Sequence, residues 1–471
     1  MSRKDRLKKA ARKSGQVAAA ASSTPQAAGT GKRLMSLDAF RGFTIFGMVF
    51  VIAVAAGGYQ WEANPLPMHR PWFSLETLPI STWFHADQGF NVWAKAQVDA
   101  EVARQTAEGI DAKVAREQAL AAIRVTPEHH MRNVGLTITD LVAPWFVFIV
   151  GACIPLSRAK RGPTWWYHVM KRTLMLIIAG MLYISLVIKQ VAPWWGVLQA
   201  IGIAYLCAAL ASRLSTPLRW ASVFVLGIGN IAMSLSFPWW TEAWETPYGA
   251  AAPAFGTLSN PGGDWLRLMT IHCQPWLSVS YGTMAIIGLL LGDALVTGEP
   301  RRIISRCLLL GGLFTALGLG LHEVGMRMGE PMLAMNKPDV TTSYAYAAAG
   351  MGALCYLLFY VIIDRWNWRL WAWPFIVLGV NPLLAYFMMI IQRRMIFEPL
   401  GLIDIFNRTG SANAFANNWA AWLGSADSPS QTVLWVLSKG GWGGVFWGLV
   451  WTVILTLIIH WCNKRQLFWR L

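Results

Sequence analysis

Two adjacent histidines, His129 and His130, stand just before an aspartate, Asp140, in the stretch EHHMRNVGLTITDLVAPWF. A neutral imidazole has an ordinary pKa near about 6.5 and takes a proton at neutral pH without prior activation. An aspartate within reach can orient such a ring or its polar partners. Histidine and aspartate chemistry of this kind serves proton removal from an amine or hydroxyl. On residue types alone, the His-His pair equally suits a metal fragment or a solvated loop. His85, in TWFHADQG, is a further histidine in the same long polar region. Asp38 and Arg41 in MSLDAFRG are three apart, on one face of a helix, where an ion pair forms. A structural pair at a membrane interface is the plainer reading of those two. His168 and His460 fall at segment ends, where interfacial snorkelling accounts for them. The six cysteines lie in or beside apolar segments and none has CxxC spacing, so neither a disulfide framework nor a metal site is expected.

The elements that position these groups are apolar. Of 471 residues, 55% are hydrophobic and 14% charged, with a mean hydropathy of +0.41. Soluble domains run nearer about 25% charged, so a disordered chain is excluded and an ordinary soluble enzyme disfavoured. Ten apolar segments are legible, at about 37–57, 135–157, 168–188, 194–212, 217–236, 273–296, 303–322, 344–363, 370–391 and 441–462. The longest reach the roughly 20 residues that span a bilayer. Several of the 27 Trp flank them, Trp239 and Trp240 among them, as interfacial belts do. The expected fold class is all-α, a polytopic membrane protein with about ten transmembrane helices. The ninth segment carries Pro374 and Pro382, which predict a kink or break.

The net charge of +16 admits nucleic acid, lipid surfaces or topology. The apolar runs decide for topology, and nucleic acid is set aside. Placing the N-terminus inside puts 24 of the 40 Lys and Arg on that side, as the positive-inside rule asks. Both termini are then cytoplasmic, and a bacterial inner membrane fits. Residues 1–33 have no apolar run before Leu34 and read as a basic cytoplasmic tail rather than a secretion signal. Residues 34–471 form the transmembrane domain. Its 58–134 loop is extracytoplasmic and holds a small helical insertion at about 92–123, rich in Ala, Glu, Gln, Lys and Arg, which Gly109 and Asp111 split.

RLMSLDAFRGFTIFGMVFV (33–51) and HMRNVGLTITDLVAPWFVFIVGACIPLS (130–157) resemble the two signature blocks of the transmembrane acetyltransferases typified by heparan-α-glucosaminide N-acetyltransferase. GVLQAIGIAY (196–205), NKPDVTTSYAYAAAGMGALCYLLFYVIID (336–364) and FIVLGVNPLLAY (375–386) resemble further stretches of that family. The resemblance implies acetyl transfer from acetyl-CoA, across a membrane, to the amino group of an amino sugar or glycan. It implies a homodimer as well. The family's catalytic histidine stands five residues before the glycine of the second block, which is His130 here. His85 is the reserve, because WFHA resembles that histidine's local context in some relatives. Three positions depart from the pattern: Ile52 replaces an asparagine, Ala200 an arginine and Met389 a histidine. A diverged subfamily fits these changes.

Under this reading His130 takes the amine proton, directly or by way of an acetyl-imidazole. Asp140 or Asp38 orients it, Arg41 and Arg132 meet the CoA phosphates, and Gln199 and Asn381 line the pantetheine path. Two rivals stand beside it. A sugar permease would also show ten helices and a broken ninth. An O-acyltransferase of cell-envelope polysaccharide would take a hydroxyl in place of the amine.

Overall fold

The computed structural model describes residues 34–56, 100–112, 114–115, 118–119, 135–136, 138–188, 191, 195–237, 275–337, 339–397, 399–400 and 442–469. The tail 1–33 lies outside the described residues, as do His85, His129, His130 and Arg132. Among the described residues the chain is helical, with no strand. The helices are α1 Met35–Ala56, α2 Ile138–Arg161, α3 Trp165–Ile188, α4 Val197–Ala211, α5 Thr216–Ser236 and α6 Ser278–Thr297. They continue with α7 Pro300–Met328, α8 Thr342–Phe359, α9 Trp373–Val380, α10 Pro382–Ile391 and α11 Trp442–Lys464. Every apolar segment read from the sequence therefore carries helix.

Among the described residues, five helical stretches are long and apolar enough to cross a membrane: Asp140–Leu186, Thr216–Ser236, Ser278–Thr297, Pro300–Met328 and Thr342–Arg365. The first of these holds both α2 and α3, joined by the turn Gly162–Thr164. A sixth is added if the bent pair Leu370–Val380 and Pro382–Phe397 is one span. That pair bends by 81°. The break comes at Pro382: the residue before a proline is pushed off helical geometry, and Asn381 sits at φ −135° and ψ 58°. Pro374 behaves differently. It stands in the first turn of α9, where a missing N–H costs nothing, and it starts the helix rather than kinking it. The same logic sets the α6–α7 corner, where Gly298 ends α6 at φ +66° and Pro300 opens α7.

The centre of the bundle is α6, almost wholly buried and enclosed by α2, α4, α5, α7 and α8. Helices meet in apolar surroundings mainly by close backbone approach, which small residues allow. Gly151 of α2 lies against the Ala285 carbonyl and Gly288 of α6 against the Phe148 carbonyl. On one flank α1 packs on α2, α9 and α11; on another α7 packs on α8. A layer of rings seals α1 to its neighbours, with Phe43 edge-on to Phe375 at 5.4 Å and Phe40 at 5.7 Å from Trp145.

The helical insertion is described in part. Residues 100–107 are helical, Gly109 turns the chain at φ +86°, and the Asp111 carboxylate accepts the Val114 N–H at 3.3 Å to restart the helix. The split expected at Gly109 and Asp111 is there. Arg104 reaches Glu101 and Glu108 at 2.6 Å each, and hydrogen bonds from Arg104 and Gln105 draw the Glu101 carboxyl down to about 2.

A side chain at the α2–α6 crossing should separate the two helices. Gly288→Leu is expected to lose at least the about 1–3 kcal/mol typical of overpacking, read as a lowered unfolding temperature in detergent. Gly312→Leu, where no atom lies within 4 Å of the added carbon, should unfold like the wild type.

Candidate functional site

The 330–341 loop joins α7 to α8 and packs its polar groups inward. Asn336, Asp339, Thr341, Thr342 and Ser343 are all buried. Buried polar groups must be hydrogen-bonded, and here the loop folds on itself to meet that demand. The Thr341 hydroxyl donates to the Ala334 carbonyl at 2.8 Å and accepts the Asn336 N–H at 3.0 Å. The Asn336 side-chain oxygen accepts the Asp339 N–H at 3.3 Å. His322, buried on α7, takes the Met335 N–H on Nδ1 at 3.1 Å. An accepting Nδ1 leaves the proton of a neutral ring on Nε2.

Val340 in this loop adopts φ +47°, left-handed backbone that a β-branched residue rarely takes. Strain of that kind costs about 1–3 kcal/mol and persists only where the surroundings over-determine it. The surroundings do so here. The Val340 carbonyl accepts the Ser280 hydroxyl of α6 at 2.7 Å and the Asn230 amide of α5 at 3.3 Å.

The start of α2 is fastened to this loop. Gly135, at φ +141°, donates its N–H to the Met335 carbonyl at 2.7 Å. Asp140 follows in the first turn of α2, its side chain 2% exposed, and accepts Lys337 Nζ at 2.8 Å. Tyr344 of α8 donates its hydroxyl to the Asp140 carbonyl at 2.7 Å. Lower on α2, Trp145 donates Nε1 to Ala348 O at 3.0 Å. Of the expected site residues that are described, Asp140 is the one that the structure places in this cluster.

Asp38 and Arg41 form the ion pair expected, at 2.6 Å, and it lies elsewhere. Gly47 of α1 packs on Val142 of α2, beside Asp140 in sequence. Asp38 precedes Gly47 by nine residues, so it stands about 14 Å further along the bundle axis at the helical rise per residue. Arg41 Nε also donates to the Gly379 carbonyl at 2.8 Å. That carbonyl belongs to the last turn of α9, where the helix dipole favours a cation. Arg41, Arg172 and Asp38 all lie within electrostatic reach of Cys153. Arg172 stacks over the Tyr205 ring at 5.0 Å. Arg172 adds a cation to those read as site residues from the sequence.

Gln199 and Asn381 hold backbone. The Gln199 side-chain oxygen accepts the Gly196 N–H at 3.2 Å and closes the first turn of α4. Asn381 donates to the Leu467 carbonyl at 2.8 Å and accepts the Trp469 N–H at 3.2 Å, which pins the 467–469 segment to the α9–α10 corner.

Residues 118–305 match the family model described as heparan-alpha-glucosaminide N-acetyltransferase, catalytic. This stretch belongs to that catalytic family. No curated protein matches the chain. The family implies an acetyltransferase. His130, Gly135, Asp140, Arg172 and Gln199 fall inside the matched stretch; His85, Arg41, Lys337 and Asn381 fall outside it.

Sequence reasoning passed over Lys337, His322, Tyr344 and Arg172. The run NKPDVTTS directly before an apolar segment was the signal for the loop: polar residues in number, where a lipid-facing connection needs none buried.

Lys337→Met removes the cation from a buried carboxylate. Breaking such a pair costs about 3–5 kcal/mol; the lower end applies because Lys337 keeps 27% of its exposure. The double variant Asp140→Leu with Lys337→Met should be more stable than Lys337→Met alone, measured by thermal unfolding in detergent.

Proposed function

We propose that the protein is a ten-span membrane acetyltransferase that moves an acetyl group from acetyl-CoA to the amino group of an extracytoplasmic amino sugar or glycan. Both termini are cytoplasmic, a bacterial inner membrane is the setting, and two copies form a homodimer. The observation that carries the reading is the match of 118–305 to the acetyltransferase family. Within that stretch, Gly135 is tied to the strained loop beside Asp140.

Acetyl-CoA supplies the activated acyl group. Arg41 and Arg172 meet its phosphates, and Arg132 remains a further candidate for that role. His130 takes the proton of the attacking amine. Its place in the chain supports this role, since five residues span at most about 18 Å from Gly135. Asp140 acts on position: with Lys337 and Tyr344 it holds the start of α2, and so the segment that leads from His130. Gln199 and Asn381 serve the same path by fixing the backbone of α4 and of the α9–α10 corner. Asp38 sets the orientation of Arg41.

Purified protein, labelled acetyl-CoA and a panel of amino sugars test the reading. His130→Ala should lower transfer by about 10²–10⁴-fold, the range of general-base catalysis, with folding unchanged. If activity survives in His130→Ala and falls in His85→Ala, His85 is the base. Transfer to hydroxyl acceptors alone would make the protein an O-acyltransferase. The 81° break between α9 and α10 favours a second reading, a sugar permease. Uptake of unmodified sugar by proteoliposomes, without acetyl transfer, would establish that reading in place of the first.

A further inference from the structure

A pocket of about 410 Å³ opens between the C-terminal ends of α2, α4 and α6, lined by Pro155, Arg158, Ser212, Arg219, Leu289 and Asp293. Its polar floor is a small network. The Ser212 carbonyl, at the end of α4, accepts Arg158 Nη1 and Arg219 Nη2, each at 2.8 Å. Terminal helix carbonyls carry partial negative charge and gather cations, which explains why two arginines share one oxygen. Arg219 spends its remaining donors on Asp293 Oδ2 at 2.6 Å and the Leu214 carbonyl at 3.0 Å. Arg158 is exposed; its guanidinium lies over the Trp165 ring at 5.9 Å and hydrogen-bonds through Nη1, while its Nε and Nη2 have no hydrogen-bond partner among the described residues. Two guanidiniums against one carboxylate leave the pocket one positive charge in excess.

The walls are of the other kind. Pro155 and Leu289 line them, and the half-exposed Leu210 and Leu218 flank the α4–α5 corner. Exposed leucines beside the mouth put it on the apolar outer surface of the bundle. The same end carries exposed Lys160, Arg161 and Arg213. A ligand that fits must bring one phosphate charge to Arg158 and apolar matter to the walls. The volume lies in the range of small-ligand pockets, roughly 300–1,000 Å³. Basic pockets between membrane helices recognise anionic headgroups by this combination.

We infer that this pocket binds the headgroup of an anionic phospholipid, with the phosphate on Arg158 and the glycerol and first acyl carbons against Pro155 and Leu289. Neither Arg41 nor Arg172 lines the pocket, and the inference is independent of the acetyltransferase reading.

Native mass spectrometry of the detergent-solubilised full chain tests it, with phosphatidylglycerol, phosphatidylcholine, inorganic phosphate and CoA as probes. The wild type should retain phosphatidylglycerol over phosphatidylcholine. Arg158→Gln should lose one bound lipid and weaken half-saturation by about tenfold, the scale of one charge-assisted hydrogen bond. Arg301→Gln, an exposed basic residue outside the pocket, should bind as the wild type does. Asp293→Asn raises the pocket charge by one and should tighten binding. This opposite sign decides the matter even if Arg158→Gln fails to fold. Equal retention of the two lipids, or Arg158→Gln binding like Arg301→Gln, would overturn the inference. So would displacement of the lipid by inorganic phosphate or CoA, or an Asp293→Asn variant that binds no tighter.

Discussion

The Asp140–Lys337 ion pair joins the start of α2 to the loop between α7 and α8, two parts of the chain 197 residues apart. Asp140 sits in the first turn of α2, and Lys337 in a loop folded under the helices. Desolvating two charges offsets much of their attraction, so such a pair contributes more to register than to net stability. Its neighbours show that register is at stake. The Gly135 N–H, the Asp140 carbonyl and the Trp145 indole each bond to a different point on the 335–348 segment. With four contacts along one edge, α2 cannot slide or rotate without stripping buried polar groups of their partners. The strained Val340 persists because α5 and α6 grip its carbonyl from the other side.

A second polar knot lies at the opposite end of α1. Arg41 bridges Asp38 and the end of α9, while Asn381 ties the α9–α10 break to the C-terminal segment. Both knots answer the same requirement. A broken helix or an inward-packed loop leaves backbone groups that lipid cannot satisfy, so side chains or neighbouring backbone must. Glycines let the helices approach closely between the knots, and aromatic rings fill the space around α1.

Much of the fold was legible in the chain. The ten apolar segments each carry helix, the break at Pro382 falls where a proline displaces the preceding residue, and the insertion turns at Gly109. These features depend on composition, periodicity and single-residue backbone rules, all of which act locally. The site was legible in part. Asp38 and Arg41 pair as i,i+3 spacing predicts. Lys337, His322 and Arg172 were not legible, because each acquires its role from a partner far along the chain: Lys337 from Asp140, Arg172 from Tyr205. His322 meets Met335 across a turn whose path the sequence does not state.

By itself the sequence determined the helical segments, their strongly apolar character and a resemblance to an acetyltransferase family, which the match over 118–305 bears out across the stretches 130–157 and 196–205. Apolarity and short motifs are properties of neighbouring residues, so they are readable one segment at a time. Only the tertiary structure decided which polar groups share a pocket. It separated Asp140 from Asp38, gave Gln199 and Asn381 to the backbone, and set Arg158 and Arg219 on one carbonyl at the end of α4. Buried donors and acceptors must find partners wherever packing puts them, and packing is a property of the whole bundle.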